Sequence, residues 1–160
     1  MHIRKKEQGF TLIEILVVIG ILAVLLAIVL IAINPQQQFQ QANDTQRRSD
    51  VNAILNAVSA YAAANKGALP AGITGTSKAL KLSSPAVPAT ELDLCALLTP
   101  TYIADLPRDP LSAAPTGGST PCDAATTEYD TGYTIQSSAG NRVTVTAPST
   151  EVGTDISVSR

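Results

Sequence analysis

Between Ile15 and Ile33 the chain carries 19 consecutive residues without a formal charge, all of them Ile, Leu, Val or Ala apart from Gly20. Counted from Phe10 the segment is 24 residues long, about 36 Å of α-helix at ~1.5 Å per residue, against ~30 Å of bilayer hydrocarbon. So long an apolar helix is suited to spanning a membrane. Arg4, Lys5 and Lys6 precede it, and no further Lys or Arg occurs before Arg47. This bias keeps the N-terminus cytoplasmic and exports everything after the span.

A cleavable secretory signal is a poor description of the same residues. Its apolar core usually runs ~7–15 residues to a small-x-small site, whereas this run ends in Leu30-Ile31-Ala32-Ile33. A lipoprotein signal fails because the first cysteine is Cys95. An uncleaved anchor explains the length but not three residues at its start: Gly9, Phe10 and Glu14. A carboxylate inside an apolar span costs roughly 2.5–3.5 kcal/mol at the helix centre and less near an end, which makes Glu14 a functional candidate. It lies four residues after Phe10, on the same helical face. A first-turn acid favoured by the helix dipole is the plainer reading of Glu14.

The run Arg4-Lys5-Lys6-Glu7-Gln8-Gly9-Phe10-Thr11-Leu12-Ile13-Glu14 followed by the apolar segment resembles the leader and start of type IV pilins and of type II secretion pseudopilins. The resemblance implies that residues 1–9 are a leader cut after Gly9 by a prepilin peptidase. Phe10 then becomes an N-methylated terminus. It also implies that Glu14, fifth after the cut, neutralises the N-terminus of a neighbouring subunit during filament assembly. Gly20, Ala23 and Ala27 form a small-residue stripe suited to close helix packing, in residues that are common in such helices anyway. Many pilins have a proline where this chain has Ile31, and here the break is expected at Asn34-Pro35.

Beyond Pro35, Val51, Ile54, Leu55, Val58, Tyr61 and Ala62 repeat at helical spacing, and Asn65-Lys66-Gly67 supplies a stop with a left-handed glycine cap. A bent rod from Phe10 to Asn65 would be about 84 Å long at ~1.5 Å per residue. Its upper half then needs cover from downstream residues, and its lower half from lipid or other subunits. The expected division is a leader at 1–9, a transmembrane and assembly helix at 10–34, an amphipathic continuation at 35–67 and an exported head at 68–160. Within the head, Ala68 to Thr90 reads as a loop with weak structure around Lys78 to Leu82. Glu91 to Leu98 reads as a short helix capped by Thr90. The segment Leu97 to Pro110 is similar to the helix-to-sheet connection of many pseudopilins. Gly132 to Ser137, Arg142 to Ala147 and Asp155 to Ser159 read as strands, the first two joined by a hairpin turn at Ala139-Gly140-Asn141. The fold class is α+β: a long N-terminal helix on a small antiparallel sheet of about three strands, the pilin fold.

Cys95 and Cys122 are the only cysteines and are expected to be exported, where pairing is favoured; free buried thiols are the other reading. Two cysteines without histidine make no four-ligand zinc site. Asp123, Glu128 and Asp130 fall in one loop and are candidate calcium ligands. Major pseudopilins hold calcium in a comparable loop, although the spacing here matches no calcium motif and a solvated polar loop accounts for it equally. No cofactor is otherwise expected.

His2, the one histidine, lies in the leader, which removes histidine-based triads from the mature chain. Gly72 and Gly75 make no phosphate loop. Asp105 and Asp109 flank Pro107 in turn or cap positions rather than as an acid/base pair. Cutting after Gly9 leaves 8 cations against 12 acids. Arg47-Arg48, beside Asp44 and Asp50, suits ion pairs better than nucleic acid, so no nucleic-acid partner is expected.

The function these features imply is structural: a filament subunit of a type IV pilus or a type II secretion pseudopilus, not an enzyme. Its partners would be further copies of itself, minor pilins or pseudopilins, the prepilin peptidase, the membrane assembly platform with its ATPase, and lipid. Its location would be the cytoplasmic membrane as a single-pass protein, then a periplasmic or extracellular filament for secretion, adhesion, motility or DNA uptake. The alternative is a monomeric, membrane-anchored binding or sensor domain.

Overall fold

The computed structural model describes residues 9–160, so leader residues 1–8 lie outside the described residues. The chain divides into two compact units, one ending at Gln38 and the other running Phe39–Arg160. The boundary falls inside a helix, and residues 39–64 of that helix belong to the second unit.

Helix α1 (Leu12–Ala32) has no buried residue, as expected for a rod made almost entirely of Leu, Ile, Val and Ala. It stops just before Asn34-Pro35. Helix α2 (Pro35–Ala64) begins with that proline, in the first helical position where its missing N–H costs nothing. At the other end the Gly67 N–H donates to the Ala62 carbonyl at 2.8 Å. Lys66 and Gly67 both take positive φ, the left-handed exit expected of this terminus.

The sheet has five strands: β1 (Lys78–Leu82), β2 (Glu91–Leu92), β3 (Tyr129–Ser137), β4 (Val143–Ala147) and β5 (Ile156–Ser159), in the order β2-β1-β3-β4-β5. The strands expected from sequence are its β3-β4-β5 half, with antiparallel register Ile135↔Val145 and Val145↔Val158. Asn141, in the turn between β3 and β4, has φ 59°, a conformation Asn tolerates better than most residues.

Three expectations need correction. Residues 78–82 form a true strand, antiparallel to β3. Glu91-Leu92 is a strand parallel to β1, pairing Ala79↔Glu91 and Leu80↔Leu92, so the sheet is mixed and not purely antiparallel. The short helix α3 is Cys95–Leu98 with Leu94 at its N-cap, not a helix from Glu91 capped by Thr90. The Glu91 carboxylate instead accepts from the Ser83 hydroxyl at 2.5 Å and the Val87 N–H at 3.3 Å. Those bonds hold the 83–90 loop against β2.

One face of α2 supplies Val51, Ile54, Leu55, Ala57 and Val58 to a core shared with Leu80, Tyr133, Ile135, Val143, Val145, Leu94 and Leu98. β3 and β4 alternate buried with partly exposed residues, as strands with one covered face do. β3 is also bulged: a step of two residues on β1, from Ala79 to Lys81, faces a step of four on β3, from Thr134 to Asp130. Inside the bulge the Thr131 hydroxyl donates to the Leu80 carbonyl at 2.7 Å. Gly132, at φ +79°, leaves room for the 109–112 turn, because a Cβ there would stand 2.8 Å from the Asp109 Cβ. The Asp109 N–H donates to the Thr131 carbonyl at 2.8 Å. The bulge thus seats Asp109 against the core.

Candidate functional site

At the N-terminus, Gly9 and Phe10 are exposed, and Thr11 caps α1 with extended backbone. The Glu14 N–H donates to Thr11 Oγ1 at 3.3 Å, and the Thr11 N–H donates back to Glu14 Oε2 at 3.4 Å. This reciprocal capping box satisfies donors that the first helical turn leaves unpaired. Glu14 therefore has the plain first-turn role that its sequence position allows. Its carboxylate also remains exposed, with acceptor capacity left for a cation from outside the chain. Gly20, Ala23 and Ala27 are exposed along α1, and no atom stands within 4 Å of a Cβ placed on Gly20. Leu12–Ala32 is the one helix among the described residues long and apolar enough to cross a membrane.

Residues 4–30 match the family model of the prokaryotic N-terminal methylation motif. That motif is the one found in the class III leader of type IV prepilins and pseudopilins. The prepilin match takes in the basic leader residues, Gly9, Phe10, Glu14 and most of α1, and it ends before the head begins. No curated protein and no solved structure matches the chain. The leader together with the α+β architecture, a helix on a sheet, is consistent with the pilin fold, here with five strands.

The head has a polar centre of its own, which the sequence reading only partly foresaw. Arg47 is fully buried on α2. Its Nε and Nη2 donate to the two Asp109 oxygens at 2.5 and 3.1 Å, and its Nη1 donates to Asp44 at 2.8 Å and Glu151 at 3.2 Å. Asp44 also accepts the Glu151 and Val152 N–H groups at 3.1 and 2.8 Å. Two loops, at residues 109 and 151, are thus tied through one guanidinium to the α2 helix that carries Asp44 and Arg47. The hydrogen bonds that Arg47 donates to Asp109 push its pKa further above its ordinary value, against the cost of burial. Burial alone would raise Asp44, but the two backbone N–H groups and the guanidinium more than reverse this and leave it below the usual carboxylate range.

One helical turn further along, Asp50 accepts from the buried Tyr133 hydroxyl at 2.7 Å and from Gln46 at 2.7 Å. Burial first, and Asp50 second, raise the Tyr133 phenol. No buried side-chain polar atom among the described residues lacks a partner. The sequence suggests intersubunit or local ion pairs for Arg47-Arg48, beside Asp44 and Asp50, without singling out either partner. That reading misses the burial, although Arg47 lies four residues before Val51 and so extends the apolar stripe of α2.

The remaining candidates separate. Cys95 and Cys122 form a disulfide with Cα atoms 5.2 Å apart. Next to it the Asp105 carboxylate accepts the Cys122 N–H at 3.0 Å, while Asp109 serves Arg47, so the two aspartates share no site. Asp123 accepts the Ser119 and Ala125 N–H groups, Glu128 accepts the Ser84 N–H, and Asp130 lies 3.6 Å from the Lys81 ammonium. Among the described residues no three His, Cys, Asp or Glu side chains converge as metal ligands. Asp123 and Glu128 lie in the loop before β3, and Asp130 is the second residue of that strand.

Proposed function

We propose that this chain is the structural subunit of a type IV pilus-like filament or type II secretion pseudopilus. A prepilin peptidase releases it by cutting after Gly9, and it assembles through its N-terminal helix. The observation that carries the reading is the methylation motif at residues 4–30 running into a helix with no buried residue. A segment of this hydrophobicity needs a nonaqueous surrounding, which lipid supplies before assembly and neighbouring helices supply afterwards. The positive-inside bias orients the head outward.

In this reading Glu14 has two successive roles. As the capping-box acid it starts α1 within its own chain. In the filament its exposed carboxylate pairs with the Phe10 amine of an adjacent copy, which offsets the cost of carrying an acid in an apolar bundle. The stripe Gly20, Ala23 and Ala27 lets a neighbouring helix approach closely. The head, closed by the disulfide, would form the outer surface. Minor subunits, the assembly platform and its ATPase would complete the machine.

Electron microscopy of sheared cells tests the proposal. Cells with the intact chain should yield fibres, long on the surface for a pilus or short and retained for a pseudopilus. Gly9→Ala should abolish them by blocking cleavage, and Glu14→Ala should leave membrane insertion intact while lowering fibre yield. Unchanged fibres from Gly9→Ala would sink the reading in favour of an anchored monomer.

A further inference from the structure

The sheet ends on β5, and among the described residues no strand pairs with its outer side. Beside that edge runs a groove of about 360 Å³ between β5 and α2, lined by Arg48, Asn52 and residues 154–158. Arg48, Asn52 and Asn56 stand on successive turns of α2, all exposed. Arg160, at the end of β5, reaches Asn56 with a 2.8 Å hydrogen bond. Arg142, at the start of β4, is also exposed. This edge is therefore polar and basic, with Asp155 the acid within it.

The other end of the sheet has the opposite sign. β2 carries Glu91, followed by Asp93, while Glu128 immediately precedes β3 and Asp130 lies in it, opposite Lys81 of β1. Lys81 lies 3.9 Å from Glu91 and 3.6 Å from Asp130, so one ammonium is shared between two of these carboxylates. The strand order places β2 and β5 at opposite margins. Three exposed cations, Arg48, Arg142 and Arg160, gather at the β5 margin, whereas toward the β2 margin four carboxylates, Glu91, Asp93, Glu128 and Asp130, outnumber Lys78 and Lys81.

We propose that the β5/α2 edge is an interaction surface for a second copy of this chain, which presents its acidic β2 margin to the basic strip Arg48, Arg142 and Arg160. The proposal rests on the filament reading and adds which surfaces of the heads meet. Two different patches on one molecule make a heterologous contact, and repeating such a contact without closure generates an open helical assembly. A patch that paired with itself would set like charges together and would close into a dimer. Unpaired edge strands invite association, and the charge on this one selects the partner and its orientation.

Charge reversal in the full-length chain tests this directly. One variant, Arg48→Glu with Arg160→Glu, makes both margins acidic; another, Glu128→Lys with Asp130→Lys, makes both basic. Each alone should lower fibre yield about tenfold, while both chains remain cleaved after Gly9 and keep the Cys95–Cys122 disulfide. Co-expressed, the two should restore fibres, because every contact between unlike variants regains opposite charge. Full yield from either variant alone would overturn the proposal. So would failure of the mixture while both chains are processed and disulfide-bonded. Loss of cleavage and fibres in the unmodified chain would instead count against the filament reading itself.

Discussion

Helices α1 and α2 follow one another in the chain and meet opposite demands. α1 is apolar on every side, holds one acid, and buries nothing within its own chain. α2 is polar over much of its surface, yet among its buried residues are three charged ones, Asp44, Arg47 and Asp50. The buried residues of α2 find their partners in residues 39–160, whereas α1 has its only side-chain hydrogen bonds in the Thr11–Glu14 box. A helix whose partners lie within its own chain can afford a buried charge, because loops deliver the counter-ions. A helix whose partners lie outside the chain must keep a uniform surface that lipid and other helices can both accept.

The sharpest break between the two regions comes at the ionic centre. Replacing Arg47 by Met should destabilise the head by about 3–5 kcal/mol, since it leaves Asp44 and Asp109 buried without their cation. Denaturant unfolding of the full chain in detergent micelles checks this, and a loss under 1 kcal/mol would show that water already reaches the centre. Removing the disulfide with Cys95→Ser and Cys122→Ser should cost about 3–4 kcal/mol by the loop-entropy argument. The same measurement reads it, with α1 helicity by circular dichroism expected not to change.

A matched pair of substitutions sharpens the contrast. Gly132→Ala should cost about 2–3 kcal/mol, because Gly132 holds φ +79° and a Cβ would press on Asp109. Gly20→Ala should leave stability within about 0.5 kcal/mol, since nothing stands near that position. Equal effects at both glycines would contradict the division drawn here.

Acidity gives the smallest effect. Asp44 titrates below its unfolded value of about 3.9, so its contribution is complete above that pH and fades as pH falls through the lower folded value. Tyr133 and Tyr129 titrate above their unfolded value of about 10. Their contribution is present below that pH and is lost as pH rises through the folded values. Head melting temperature should therefore be flat across neutral pH and fall at both extremes, and a drop between about pH 5 and 8 would not fit.

Much of this was legible because it is local. The length of α1, the break at Pro35, the exit at Lys66-Gly67 and the alternation of Val143, Val145 and Ala147 all depend on residues a few positions apart. The missed pieces depend on distant ones. β1 shows one fully buried side chain, Leu80, and β2 is two residues long and defined only by its parallel neighbour. The third ligand of the Arg47 centre, Glu151, comes from more than a hundred residues away. In the site, the order of Gly9, Phe10 and Glu14 was readable because it is a linear motif, whereas the capping box needed only Thr11 and was overlooked beside the larger role given to Glu14.

The most direct test of the filament account is the intact mass of the protein recovered from its host membrane. The account predicts a chain that has lost residues 1–9 and begins at a Phe10 bearing one methyl group on its amine. A chain that still begins at Met1 and stays monomeric in the membrane would contradict it.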